Sequence, residues 1–180
     1  MNIVMLTGSP RPHGSSNQLA DAFVNGAQAA GYHTDRFDAA VLKINPCRGC
    51  GYCLEHDNRC VQKDAMQEVN AKLVQTNALI LVSPVYYFGI SSQLKAAVDR
   101  FYAVNDLLMA RGVISYLILT AADTDPTCLQ EPQDFYKHLA RYLQFRSKGI
   151  LLAHSLSTPE DLAGKPYLEQ AYQAGFTLAE

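Results

Sequence analysis

The chain has 180 residues, 48% of them hydrophobic, and 15 Lys and Arg against 17 Asp and Glu give a net charge of -2. That composition suits one domain over residues 1–180 and carries too little basic charge for a nucleic-acid surface or an anionic membrane. No apolar run approaches the roughly 18 residues of a membrane span, and Met1-Asn2-Ile3-Val4-Met5-Leu6 is strand-like with no basic leader, so a cytoplasmic protein with a small-molecule partner is expected.

In chain order, strand-length runs fall at Asn2 to Thr7, His33 to Asp38, Ala78 to Ser83, Val113 to Thr120 and Ile150 to Ala153. Helical spacing covers Ser16 to Ala30, Asp64 to Gln75, Ser91 to Tyr102, Thr127 to Phe145 and Pro166 to Leu178. Apolar strands alternating with helices predict an α/β protein with a five-stranded doubly wound parallel sheet of order 2-1-3-4-5, helices on both faces. In such a sheet a ligand sits beyond the carboxyl ends of the strands at the switch point, which gathers the loops 8–17, 84–91 and 121–126 into one site.

The first of these loops reads as a phosphate cradle. Gly8 and Gly14 let the backbone turn, Ser9, Ser15, Ser16 and Asn17 offer hydroxyl and amide groups, Arg11 adds charge, and a helix N-terminus follows. An ordinary capped helix behind a Pro/Gly loop is the alternative. The lysine of a nucleotide P-loop and any G-x-G-x-x-G are missing, which points to a terminal phosphate monoester. The second loop, Pro84-Val85-Tyr86-Tyr87-Phe88-Gly89, sets three aromatics at the sheet mouth, where a flat ring or a second subunit would cover them. A flavin with a terminal phosphate is FMN. Ala121 and Asp123 follow the fourth strand; Asp123 and Asp125 either meet a flavin edge or cap a turn. In the helix after the aromatics, Lys95, Asp99 and Arg100 read as surface or interface charges, Lys95 and Asp99 at i,i+4 spacing.

The motifs T-G-S-P-R-P-x-G-S-S-N and S-P-V-Y-Y-F-G-I-S-S-Q-L-K-x-x-x-D-R-F resemble those of the NADPH-dependent FMN reductase family, flavodoxin-like proteins that include quinone reductases and iron-sulfur flavoproteins. The resemblance implies a flavodoxin-like fold, FMN held by Ser9, Arg11, Ser15, Ser16, Asn17 and the 84–89 loop, NAD(P)H as cosubstrate, and ping-pong hydride transfer to a quinone, flavin or similar acceptor. A homodimer or homotetramer would cover the aromatic loop. Tyr87 stands where relatives often carry tryptophan.

Cys47-x2-Cys50-x2-Cys53-x6-Cys60 is the second strong signal. Four thiols in a Gly-rich loop can hold one inorganic centre. The spacing resembles the motif of iron-sulfur flavoproteins, which implies a [4Fe-4S] cluster and an electron carrier fed by a ferredoxin-like protein. Structural zinc and free thiols or a reversible disulfide are the other outcomes. Cys128 stands apart as a spare thiol. A non-catalytic FMN- or phosphate-binding module is the third reading of the whole chain.

Overall fold

Strands that are apolar at every position need cover on both faces of their sheet. The computed structural model describes residues 1–180 and supplies that cover. In chain order the elements are β1 (Asn2–Thr7), α1 (Ser15–Ala29), β2 (His33–Asp38), α2 (Tyr52–Glu55), α3 (Met66–Leu73), β3 (Ala78–Tyr86) and β4 (Gly89–Ile90). There follow α4 (Ser92–Asp99), α5 (Asn105–Met109), β5 (Ile114–Thr120), α6 (Gln130–Tyr142), β6 (Arg146–Ala153) and α7 (Tyr167–Phe176).

The parallel strands run β2-β1-β3-β5-β6, with the two-residue β4 folded back on β3. With that hairpin strand set aside, this is the flavodoxin-like order 2-1-3-4-5 expected from the alternation of strands and helices. Successive side chains of a strand point to opposite faces. Ile3, Met5, Ile80 and Val82 therefore meet Leu19, Phe23, Ile118 and Ala171 in one core. Val4, Leu6, Leu79 and Leu81 meet Leu73, Leu94, Phe101 and Tyr136 in the other. No helix is long and apolar enough to cross a membrane.

Boundaries depart from the sequence reading where local chemistry gives no apolar signal. The last strand starts at Arg146 and not at Ile150, because an edge strand with exposed Arg146, Ser147 and Lys148 needs no hydrophobic alternation. β3 continues past Ser83 through Pro84 to Tyr86, and its pairing with β4 converts the expected loop into a hairpin. The helix expected over Ser91 to Tyr102 ends at Asp99 and tightens into a 3-10 turn over Arg100–Val104. Its Ser91 hydroxyl accepts from the Leu94 N–H at 3.3 Å, a standard N-cap.

Helix α7 closes the fold by lying against α1 at backbone distance. A Cβ on Gly175 would stand 2.1 Å from the Phe23 carbonyl oxygen, and one on Gly26 1.9 Å from that of Tyr172. Neither neighbour is a flexible side chain, so neither can yield cheaply. Gly175→Ala is expected to destabilise the protein by about 2–3 kcal/mol or more, the cost of overpacking a tight contact. Urea unfolding of the variant against the parent measures it, and an unchanged midpoint would contradict this packing.

Candidate functional site

The first site loop is held open by its own hydrogen bonds. The Arg11 carbonyl accepts from the Gly14 N–H at 3.0 Å and from the Asn17 side-chain amide at 2.8 Å. The Asn17 carbonyl oxygen in turn accepts from Arg36 at 2.9 Å, and Arg36 also engages Asp38 at 2.9 Å and Asp21 at 2.5 Å. Asn17 is thus a brace with both ends of its amide occupied. Ser9 supports the same turn, accepting from the Arg11 N–H at 3.3 Å. What the brace leaves free is the start of α1. It follows Gly14 with no side-chain cap and no acidic residue in the first turn. Uncapped N–H groups and the positive end of the helix dipole suit a phosphate. Ser15 and Ser16 are buried at that helix start, and Arg11 is exposed beside it.

Three further segments meet this loop at the carboxyl edge of the sheet. Gly8 lies so close to Ser91, the cap of α4, that a Cβ there would stand 2.2 Å from its hydroxyl. Ser16 and Thr120, the last residue of β5, share a hydrogen bond of 2.6 Å, and the Ser15 hydroxyl donates to the Thr158 carbonyl at 3.3 Å. The sequence reading missed Thr120 and the 154–158 loop after β6. The carboxyl-edge rule that gathered the other loops covers that last strand as well.

The remaining expected site residues divide. The backbone N–H of Ala121 donates to Ala153, and its carbonyl accepts from Leu156, so only its methyl is left for a ligand. Asp123 accepts from the Asp125 N–H at 3.0 Å and Asp125 from the Thr127 N–H at 2.9 Å, which makes both carboxylates turn caps. Hydrogen bonds to Thr127 hold the Asp125 carboxyl below its ordinary range.

The aromatic loop is a tight hairpin. Val85 pairs with Ile90 and Tyr86 with Gly89, and the two residues between, Tyr87 and Phe88, both have positive φ, 46° and 61°. Such a turn favours Asn-Gly; a large aromatic in the left-handed region costs roughly 1–2 kcal/mol. Despite that cost, Tyr87 is 101% exposed and Phe88 59%. Packing on this chain does not repay that strain.

The cysteine loop lies against the 3-10 turn that follows α4. All four thiols are free, and Cys47, Cys50, Cys53 and Cys60 line one pocket together with Arg48, Arg100 and Tyr102. Gly49 and Gly51 have φ of 62° and 70°, which lets the chain wind back between the first three cysteines. No three Cys, His, Asp or Glu side chains form a group able to hold a single metal ion. The Cys53 thiol is pushed up from its usual value by burial and, to a smaller degree, by the other three cysteines. Burial also raises buried Cys128, which stays apart from them.

One expectation is overturned here. Lys95 and Asp99 do form an exposed i,i+4 pair at 2.6 Å, but Arg100 is buried, with 1% of its side chain exposed. The 3-10 turn that follows α4 swings it inward, where it donates to Asp64 at 2.7 and 3.0 Å and to the Asn45 carbonyl at 2.7 Å. Asp64 also accepts from the Asn45 N–H at 3.0 Å and the Met66 N–H at 3.2 Å. The pair therefore ties together both ends of the cysteine loop. Burial works to raise the Asp64 carboxyl, but these donors hold it below the usual carboxylate range. Burial likewise opposes the Arg100 charge, and Asp64 with a smaller contribution from Cys60 raises its pKa all the same.

Residues 1–125 match the family model described as NADPH-dependent FMN reductase. The chain belongs to that family. Among curated proteins, an iron-sulfur flavoprotein of Archaeoglobus fulgidus is 37% identical over 183 residues, covering 100% of this chain and 80% of that protein. Another of Methanocaldococcus jannaschii is 30% identical, covering 76% and 72%. Among solved structures, the NAD(P)H:quinone oxidoreductase of Methanothermobacter marburgensis superposes with a TM-score of 0.80 at 16% identity, covering 100% of this chain and 96% of that one. An FMN-dependent NADH-azoreductase of Bacillus anthracis in complex with FMN gives 0.73 at 13% identity, with 100% of both chains covered. Both share the fold. As a member of the FMN reductase family, the chain is an oxidoreductase with FMN as its cofactor.

Two outcomes test this geometry. Tyr87→Asn should gain up to about 1 kcal/mol of stability, since Asn tolerates a left-handed backbone and no buried contact is lost. A fall in the thermal midpoint would refute the strain. For Asp64, a depressed folded pKa means that its contribution is complete above the unfolded value of about 3.9 and is lost as pH falls through the lower folded value. The unfolding free energy should therefore fall on acidification below about pH 4, with Asp64→Asn less stable at neutral pH and less acid-sensitive. Parallel acid profiles for the two proteins would contradict the assignment.

Proposed function

We propose that residues 1–180 act as one FMN-binding domain that oxidises NAD(P)H and reduces a quinone, flavin or similar small acceptor. The observation that carries this reading is the uncapped start of α1 at the same sheet edge as a strained, solvent-exposed aromatic hairpin. FMN, when bound, accepts two electrons from a nicotinamide and returns them singly or in pairs. The chain's own part is to bind and orient. The N–H groups of the first turn of α1 and Arg11 receive the phosphate, while Ser9 and Asn17 hold the loop in shape and the Ser15 and Ser16 hydroxyls, engaged by Thr158 and Thr120, tie it to the loops beside it. Tyr86, Tyr87 and Phe88, on a hairpin anchored by Pro84, Val85 and Gly89, present a flat apolar surface to the ring.

A second centre is supported by the cysteine pocket. Cys47, Cys50, Cys53 and Cys60 supply the thiolates that a [4Fe-4S] cluster requires, and they surround a pocket, where structural zinc would need them to converge on a point. The archaeal relatives named iron-sulfur flavoproteins add weight to this reading. The cluster would supply one-electron transfer, which suits exchange with a ferredoxin-like protein. A homodimer or homotetramer, with the exposed Tyr87 and Phe88 covered by another subunit, fits the same surface.

Anaerobic purification with FMN, iron and sulfide stoichiometry, followed by NAD(P)H oxidation with an added quinone, tests both parts. Bound FMN and turnover support the oxidoreductase; flavin that NAD(P)H cannot reduce would leave only the electron carrier. Arg11→Ala should weaken FMN by about 1.5–3 kcal/mol, the worth of one charge-assisted hydrogen bond. Equal FMN affinity in variant and parent would overturn the cradle. Cys50→Ser should abolish iron and sulfide and leave FMN in place, and retention of both would overturn the cluster.

A further inference from the structure

Three buried side-chain atoms have no hydrogen-bond partner, Thr34 Oγ1, Asn70 Oδ1 and Arg100 Nε. Only Arg100 lines the pocket that the four cysteines share. A guanidinium is a costly thing to bury, and an ion pair with Asp64 alone would be served as well by closing all its donors onto that carboxylate and its neighbours. Its two Nη atoms do take Asp64 and the Asn45 carbonyl, but Nε stays unpaired on a side chain with 1% exposure. Buried donors without partners call for an explanation, and a ligand group that supplies the missing acceptor is one. Thiolate and sulfide sulfurs are anionic acceptors of that kind, and the four cysteines of this pocket supply thiolates.

We propose that Arg100 is the electrostatic partner of the four-cysteine centre, its buried charge and free Nε–H stabilising the sulfur anions and favouring the reduced centre. The inference rests on the cluster reading above. Reduction by one electron, supplied by dithionite in the experiment, adds a negative charge to the centre without breaking a bond or moving a proton. A fixed cation in a site of low dielectric favours the more negative state and so raises the reduction potential. Asp64 opposes it as the counter-charge. The two residues therefore act with opposite signs on the centre, although they act together in holding the loop. Arg48, on the same pocket wall, is exposed and more strongly screened by solvent.

That opposition separates tuning from scaffolding. The test is an EPR-monitored redox titration of the anaerobically purified parent, Arg100→Lys and Asp64→Asn, with iron, sulfide and FMN counted in each. Lysine keeps a charge but loses the Nε donor and the planar fork. Arg100→Lys should shift the one-electron equilibrium about tenfold toward the oxidised centre, about 59 mV lower in potential. Asp64→Asn should shift it the other way, and the FMN potentials should stay where they are in the parent. Shifts of the same sign in both variants, or none in either, would overturn the proposal while leaving the cluster reading intact. A parent without iron and sulfide would overturn both. Should Arg100→Lys fail to load, Asp64→Asn decides alone: a raised potential supports the proposal, and an unchanged or lowered one overturns it.

Discussion

The pairing of β1 with β2 on one side and β3 on the other is the interaction on which the site depends. Its parallel ladder runs in continuous register, Asn2 to Thr7 against His33 to Asp38 and Ile3 to Thr7 against Ala78 to Val82. Parallel strands end together, so the turn after β1, the hairpin after β3 and the Arg36–Asp38 pair at the end of β2 arrive at one edge. There Arg36 reaches Asn17 and stiffens the loop after β1 from behind, and Thr7 donates to Asp38 across the same pair of strands. The loop after β1 is thus braced by a charge network of Arg36, Asp38 and Asp21 behind it.

The two candidate redox sites are held by different physics. The cradle and hairpin are backbone features, shaped by hydrogen bonds within tight turns and by the close approach of Gly8 to Ser91. The cysteine loop has little apolar packing, with Val61, Leu54 and Tyr52 exposed, and takes its shape from two left-handed glycines and the buried Arg100–Asp64 pair. Between those anchors the loop holds itself with the short helix α2 and a Gln62 side-chain hydrogen bond to the Pro46 carbonyl at 3.0 Å. Removing one member of a buried ion pair strands the other, so that anchor is also the vulnerable point of the segment.

Stability is given up at the hairpin. Two consecutive aromatics in the left-handed region, one of them fully exposed, lower the stability of the chain and leave an apolar surface at the sheet edge. The opposite compromise appears at Gly26 and Gly175, where every larger residue is excluded so that α7 can close against α1.

The alternation of apolar runs with helical spacing was enough to give the sheet order and the helices on both faces, because a strand buried on two sides leaves no other pattern. That Gly8, Arg11, Ser15 and Ser16 lie at the start of the first helix was legible for the same kind of reason, because a helix N-terminus behind a Pro/Gly turn has a local signature. Four cysteines in one loop were legible as a set. Nothing local, however, distinguishes Arg100 from Lys95 and Asp99, its neighbours on the same amphipathic helix. Only the change from α-helix to 3-10 turn, together with the arrival of Asp64 and Asn45 from the cysteine loop, turns it inward. The hairpin strain of Tyr87 and Phe88, the spending of Asn17, Asp123 and Asp125 on internal hydrogen bonds, and the approach of Thr120 and Thr158 were likewise decided in three dimensions. Periodicity reports burial, which each element carries in its own sequence; the partner of a polar group is set by residues remote in the chain, and only packing brings them together.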